Sequence, residues 1–143
     1  MAKRNAKATW QGGLQDGKGT MALGSGAFEG TFSFNTRMGD EPGTNPEELL
    51  GAALAGCFTM ALSATLEKEG HTATRIDSSA NVEFGKDEAG FAIKFIDLET
   101  NAEVDGLNDA EFQRIAGEVK NTCPVSKALS AVPINLTANL ANA

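Results

Sequence analysis

The stretch Gly43-Thr44-Asn45-Pro46-Glu47-Glu48-Leu49-Leu50-Gly51-Ala52-Ala53-Leu54-Ala55-Gly56-Cys57-Phe58 decides how this chain folds. Its opening residues carry helix-start signals in order. Asn45 is an N-cap residue, and Pro46 takes the first helical position, where a missing N–H costs nothing. Glu47 and Glu48 place negative charge against the positive end of the helix dipole, and Glu48 completes an Asn-x-x-Glu capping box. The pattern then runs unbroken to Glu69, where Gly70 offers a left-handed stop, which predicts a helix of about 24 residues and about 36 Å. Leu50, Leu54, Phe58, Leu62 and Leu66 recur at every fourth position, while Gly51, Ala52, Ala55, Gly56, Ala61 and Ala64 occupy the faces between them. A helix that is apolar or small all round is buried all round. The pairs Gly51/Ala55 and Ala52/Gly56 admit another backbone at close range, and Cys57 lies in the middle of this element.

At 143 residues the chain is expected to form a single domain over 1–143. Wrapping so long a helix strains the covering capacity of a chain of this size, and a dimer resolves the difficulty. The net charge of -7 argues against nucleic acid and anionic membranes as partners, because both require basic patches. Residues Leu49 to Leu66 carry no charge and reach the length of a membrane span, but Gly51, Gly56, Thr59, Ser63 and Thr65 dilute the run. A buried core helix accounts for the same stretch in a soluble protein. The basic start, Met1-Ala2-Lys3-Arg4-Asn5, leads into no apolar segment, so no signal peptide is expected and the cytoplasm is the expected location. Two cysteines in that setting point to redox or catalytic thiols rather than a structural disulfide. His71, the one histidine, makes no usual zinc site with two distant cysteines, so no metal is expected.

Along the chain, Lys7 to Trp10 and Gly17 to Leu23 read as strands joined by a turn-rich segment, and Thr31 to Phe34 alternates as a third strand, leaving Arg37 near a strand end. A loop over residues 39–43 delivers the chain to the long helix. Beyond it, Thr72 to Phe84 and Phe91 to Val104 form a hairpin around a turn at residues 85–90. Phe91, Ile93 and Phe95 alternate cleanly with Ala92 and Lys94, and the loss of alternation further on suggests that both faces are covered there. Asn108 caps a second helix with Phe112, Ile115, Ala116 and Val119 as its apolar stripe, ending around Lys120 to Thr122. Cys123-Pro124-Val125-Ser126 is another helix start, and Pro133 to Leu140 closes the chain as an alternating strand.

Four residues stand out, each with two readings. Cys57 by position reads first as a small buried hydrophobe. Cys123 at a helix N-terminus meets exposed N–H groups that stabilise a thiolate and depress its pKa, although a structural cap occupies the same place. Arg37 also fits a solvated surface charge, and Glu47 a carboxylate that the helix dipole explains alone.

Taken together, Phe34-Asn35-Thr36-Arg37, Gly43 to Leu49, Ala53 to Phe58 and Cys123-Pro124-Val125-Ser126 closely resemble the OsmC branch of the OsmC/Ohr family, the osmotically induced and organic hydroperoxide resistance proteins. The likeness spans nearly the whole chain, in order and spacing, including a separation of 66 positions from one cysteine to the other. The resemblance implies an α+β fold: an intertwined homodimer with long central helices packed between antiparallel-rich β-sheets and active sites at the subunit interface. It further implies a thiol-dependent peroxidase that reduces organic hydroperoxides, and extends to hydrogen peroxide. In that scheme Cys57 is the peroxidatic cysteine, Cys123 the resolving one, and Arg37 and Glu47 their activating pair. No bound cofactor is implied; a dithiol such as dihydrolipoamide or a lipoylated protein recycles the enzyme.

Those roles suit the residues. A thiolate attacks one peroxide oxygen while the departing alkoxide gathers negative charge, and a guanidinium assists both changes. A carboxylate can hold the guanidinium plane by a bidentate contact that lysine could not reproduce. Spacing adds a constraint of its own. Glu47 and Cys57, ten residues apart on one helix, are separated by about 15 Å of axial rise, too far to serve one small substrate from one chain. The expectation is therefore Cys57 and Cys123 from one subunit with Arg37 and Glu47 from the other. Two other classes remain open to the residues alone: a dimeric module binding an apolar ligand, which needs no cysteine, and a structural stress protein with inert thiols.

Overall fold

The computed structural model describes residues 1–141 and has an α+β architecture, with two three-stranded sheets and four helices among the described residues. The chain forms two compact units, Met1–Leu49 and the part from Leu50 onward. In the first unit, β1 (Ala6–Gln11), β2 (Lys18–Leu23) and β3 (Glu29–Phe32) form an antiparallel meander in that order. The registers Trp10↔Gly19 and Gly19↔Phe32 bring the Trp10 and Phe32 rings to 5.4 Å across the glycine between them.

The third strand ends at Phe32, earlier than its alternation predicts, because Ser33 starts a short helix, α1 (Phe34–Met38). The Ser33 side chain accepts the Thr36 N–H at 3.2 Å and the Thr36 hydroxyl accepts the Ser33 N–H at 2.8 Å. This is a capping box with threonine in the usual Glu/Gln place. Arg37 therefore sits on a helix rather than at a strand end.

Helix α2 (Pro46–Lys68) begins where the capping signals place it, with Asn45 Oδ1 accepting the Glu48 N–H at 2.8 Å. The Glu48 carboxylate, expected to return to Asn45, instead accepts the Thr44 hydroxyl at 2.6 Å. The helix stops as predicted. Gly70, at φ +89°, lets the His71 N–H reach Leu66 O and the Gly70 N–H reach Glu67 O, the paired bonds of a Schellman cap.

In the second unit, Leu54, Phe58, Leu62 and Leu66 of α2 are fully buried, whereas Leu50 is only half-buried. The opposite face is not covered. Ala52, Ala53, Gly56 and Ala64 are exposed, and Met60 is 79% exposed, so burial on all sides is not met within one chain. The small residue that does permit a close approach is Gly51, where a Cβ would lie 3.2 Å from the Ala80 carbonyl oxygen. The backbone it admits belongs to a strand, not to another helix.

That strand is β4 (Ala73–Asp87), which pairs antiparallel with β5 (Gly90–Val104). Pairing runs on to Asp87↔Gly90, so the turn contracts to Glu88-Ala89. The register passes from Glu83↔Phe95 to Phe84↔Ile93, leaving Lys94 as the extra residue of a bulge. One inserted residue reverses the phase of alternation. Ile96, Leu98, Thr100, Ala102 and Val104 consequently face the core while Asp97, Glu99, Asn101 and Glu103 face water, so the clean alternation lies in the second half of β5.

α3 (Asp109–Thr122) and α4 (Pro124–Ala128) carry the chain to β6 (Ile134–Ala141), which lies parallel to β5 from Ile96↔Ile134 to Glu103↔Ala141. Asn108 Oδ1 caps α3 through the Glu111 N–H at 2.9 Å, and Phe112, Ile115, Ala116 and Val119 are its buried stripe, as the spacing predicts. The Leu54–Leu66 ridge, the inward side chains of β5 and the α3 stripe make one core, and Cys123 belongs to it.

Candidate active site

The first unit assembles Arg37 and Glu47. Thr36, buried on α1, donates its hydroxyl to the Thr44 carbonyl at 2.9 Å, while the Thr44 N–H bonds Thr31 O at 2.8 Å. The end of β3, α1 and the residues leading into α2 are thereby tied together. Gly43 makes the closure possible: at φ +153° a Cβ there would lie 2.7 Å from Thr36 Cγ2 and 2.9 Å from Thr31 O. Arg37 Nη2 then donates to Glu47 Oε1 at 2.6 Å, and Nε donates to Oε1 at 3.0 Å and Oε2 at 3.2 Å. Glu47 is only 7% exposed, so its carboxylate gains strongly from this charged fork. The guanidinium plane is held while the Arg37 side chain remains 39% exposed.

The second unit assembles the thiols. Cys57 is half-buried on α2, and Cys123, fully buried, occupies the junction between α3 and α4. Their sulfurs lie 2.8 Å apart across 66 residues of chain, and both thiols are free. Beside Cys57, the Ser78 hydroxyl links Thr59 of α2, at 2.7 Å, to Thr100 of β5, at 2.9 Å, which secures the helix on the sheet.

Two thiols this close cannot both ionise easily. Burial pushes the Cys57 thiol above its ordinary value, and the contact with Cys123 adds to the rise, while the Val125 N–H acts against it. At Cys123 burial is again the largest influence and also opposes ionisation. It is outweighed by hydrogen bonds from Cys57, from the N–H and hydroxyl of Ser126 and from the Val125 N–H, which together lower the thiol's pKa. Of the two thiols Cys123 is the one whose ionisation is favoured, first by the Cys57 thiol and then by the groups at the start of α4.

Four residues singled out in the sequence thus form two pairs, Arg37 with Glu47 and Cys57 with Cys123. Sequence reasoning did not single out Thr36, Thr44 or Ser126 as supporting groups. The Ser33-x-x-Thr36 spacing was the available signal for the first, and the position of Ser126 three residues after the cap cysteine for the last. Among the described residues no group of three or more His, Cys, Asp and Glu side chains could hold a metal.

Fold and thiol pair together define a two-cysteine α+β protein. The model of the OsmC-like protein family matches residues 39–137. The chain is 45% identical over 129 residues, 90% of either sequence, to Peroxiredoxin OsmC of Escherichia coli strain K12. It is 34% identical over 91 residues to the organic hydroperoxide resistance protein OhrA of Bacillus subtilis strain 168, covering 63% of this chain and 62% of that protein. The crystal structure of OhrB of Bacillus subtilis superposes with a TM-score of 0.69 at 25% identity, covering 96% of this chain and 98% of OhrB. The chain belongs to the OsmC family.

Proposed function

We propose that the protein is a cysteine-based peroxidase that reduces organic hydroperoxides, and hydrogen peroxide as a further substrate, to alcohols or water. The observation that carries this reading is the 2.8 Å approach of Cys57 and Cys123 in a member of the OsmC family. Its relatives named for peroxiredoxin activity and organic hydroperoxide resistance point the same way.

In the proposed cycle the proton on Cys57 passes to the adjacent Cys123 thiolate as Cys57 attacks one oxygen of ROOH. The O–O bond breaks, Cys57 becomes a sulfenic acid, and the alkoxide takes a proton from solvent to leave as ROH. Cys123 then attacks the sulfenic sulfur, and its proton leaves with the hydroxide as water, closing a Cys57–Cys123 disulfide. A dithiol such as dihydrolipoamide or a lipoylated protein reopens it, so no bound cofactor takes part. A guanidinium brought to Cys57 offsets the burial that keeps this thiol protonated and stabilises the alkoxide. Arg37, oriented by Glu47, is the proposed source. Leu54, Phe58 and Met60 flank Cys57 on the helix and favour an alkyl substituent on the peroxide.

The ten-residue separation of Glu47 and Cys57 on one helix supports a site made from two chains, with Cys57 and Cys123 from one protomer and Arg37 with Glu47 from its partner. The uncovered face of α2 around Gly56 and Met60 supplies apolar surface for such a homodimer, in which residues 1–143 act as one domain per chain. The cytoplasm, where thiols are kept reduced, is the proposed location. Mixing inactive Cys57→Ser with inactive Glu47→Ala protein tests the arrangement. After verified subunit exchange, each heterodimer is expected to regain one working site; no recovery of cumene hydroperoxide consumption would reject the two-chain site.

A further inference from the structure

Ser126 is the third helical residue of α4 and only 6% exposed. Its hydroxyl is shielded from solvent and makes no hydrogen bond among the described residues. A buried hydroxyl without a partner is costly, so its position calls for an acceptor. The group that Ser126 can serve is the sulfur of Cys123, three residues earlier at the start of the same short helix, whose ionisation a hydroxyl there favours. In an ordinary cap the residue at this place would be Ser, Thr, Asp or Asn with an oxygen accepting the N–H of the second or third helical residue; here a sulfur stands there.

We propose that Ser126 is a positioning residue for thiol–disulfide exchange: its hydroxyl donates to Cys123 Sγ and makes Cys123 the sulfur that leaves when a thiol opens the Cys57–Cys123 disulfide, directing the incoming thiol to Cys57. The inference rests on the disulfide chemistry proposed above. Two independent asymmetries agree on it. The first is charge stabilisation, since Cys123 is served by the N–H and hydroxyl of Ser126 and by the Val125 N–H, whereas Cys57 is served by the Val125 N–H alone. The second is access, because Cys57 is half-buried and Cys123 is fully buried. Exchange attacks the accessible sulfur and expels the better stabilised thiolate, so both effects select Cys57 as the point of entry. In the step itself a reductant thiolate bonds to Cys57 Sγ, the S–S bond breaks, and its electron pair goes to Cys123. The second thiolate of the reductant then attacks the reductant's own sulfur in the mixed disulfide, releasing Cys57 and leaving the reductant as a cyclic disulfide.

The test starts from disulfide formed with diamide, so it does not depend on peroxide chemistry. Brief exposure to glutathione, acid quenching and peptide mass mapping locate the mixed disulfide, which is expected on Cys57. Ser126→Ala is expected to slow opening by dithiothreitol about fivefold and to shift the equilibrium with a dithiothreitol buffer toward the disulfide by a similar factor, with Ser126→Thr restoring both. Glutathione on Cys123, or opening of folded Ser126→Ala at the native rate, would overturn the proposal. If Ser126→Ala does not fold, mapping of the native protein decides it. Failure of diamide to close the disulfide would overturn both this inference and the peroxidase cycle, whereas closure followed by mapping to Cys123 would overturn this inference alone.

Discussion

Replacing Glu47 by glutamine separates the shape of the Arg37 fork from its charge. Glutamine keeps the volume and one carbonyl acceptor, but a neutral amide takes the place of a carboxylate that receives Nε and Nη2 of Arg37 at 2.6–3.2 Å. Charge-assisted hydrogen bonds are about twice as strong as neutral ones, so each arm of the fork weakens by about 1 kcal/mol. Folding stability should fall by no more than about 1 kcal/mol, because the Arg37 side chain is 39% exposed and recovers hydration. Chemistry should suffer more. A guanidinium free to turn loses about 2 kcal/mol of directed stabilisation of the departing alkoxide, which is about 30-fold in rate. Stopped-flow oxidation of the thiols by cumene hydroperoxide gives the second-order rate constant directly. A folded Glu47→Gln protein reacting within threefold of the native rate would refute this use of the fork. Arg37→Lys, which retains charge but loses the fork, is the companion variant and should be no faster than Glu47→Gln.

Gly43→Ala forces a side chain into a positive-φ position against Thr36 and Thr31, and should cost about 1–3 kcal/mol in denaturant unfolding, with a parallel loss of peroxidase rate. Phe58→Ala empties a fully buried site beside Cys57 and should cost about 3–5 kcal/mol by the same measurement. The thiol pair also leaves a mark on pH dependence. Cys123 lies below the ordinary 9.0, so its contribution to stability grows as pH rises toward 9.0 and is lost as pH falls through its folded value. Cys57 lies above 9.0, so stability declines as pH climbs past 9.0 and the unfolded thiol ionises first. Thermal unfolding of the reduced protein, referenced to a Cys57→Ser/Cys123→Ser double variant, should show both slopes.

The parts of the fold legible in the sequence are those set by local chemistry. Asn45-Pro46-Glu47 starts α2, Gly70 ends it, and the spacing of Phe112, Ile115, Ala116 and Val119 marks the buried side of α3. The parts that were not legible depend on partners distant in sequence. Phe32-Ser33-Phe34 alternates like a strand, and only the reciprocal bonds between Ser33 and Thr36 turn it into α1. The phase of β5 is set by a bulge opposite β4, and the alternation of β6 is the same whether its neighbour runs parallel or antiparallel. The all-round small and apolar surface of α2 correctly located a buried ridge, but one chain supplies cover for only one side. At the site, composition and spacing identified helix starts and two cysteines, whereas pairing Arg37 with Glu47 and Cys57 with Cys123 followed from family resemblance. Ser126 escaped notice because nothing in Cys-Pro-Val-Ser distinguishes a buried serine from one facing water.

The central claim is that Cys57 and Cys123 act as one redox pair driven by hydroperoxide. It is tested most directly by counting free thiols in the reduced, folded protein before and after one equivalent of cumene hydroperoxide per chain, with hydrogen peroxide as the comparison. The account predicts a rapid fall from two thiols to none and a faster reaction with cumene hydroperoxide. Two thiols surviving the oxidant would contradict it, and would turn attention to a dimeric module that binds an apolar ligand.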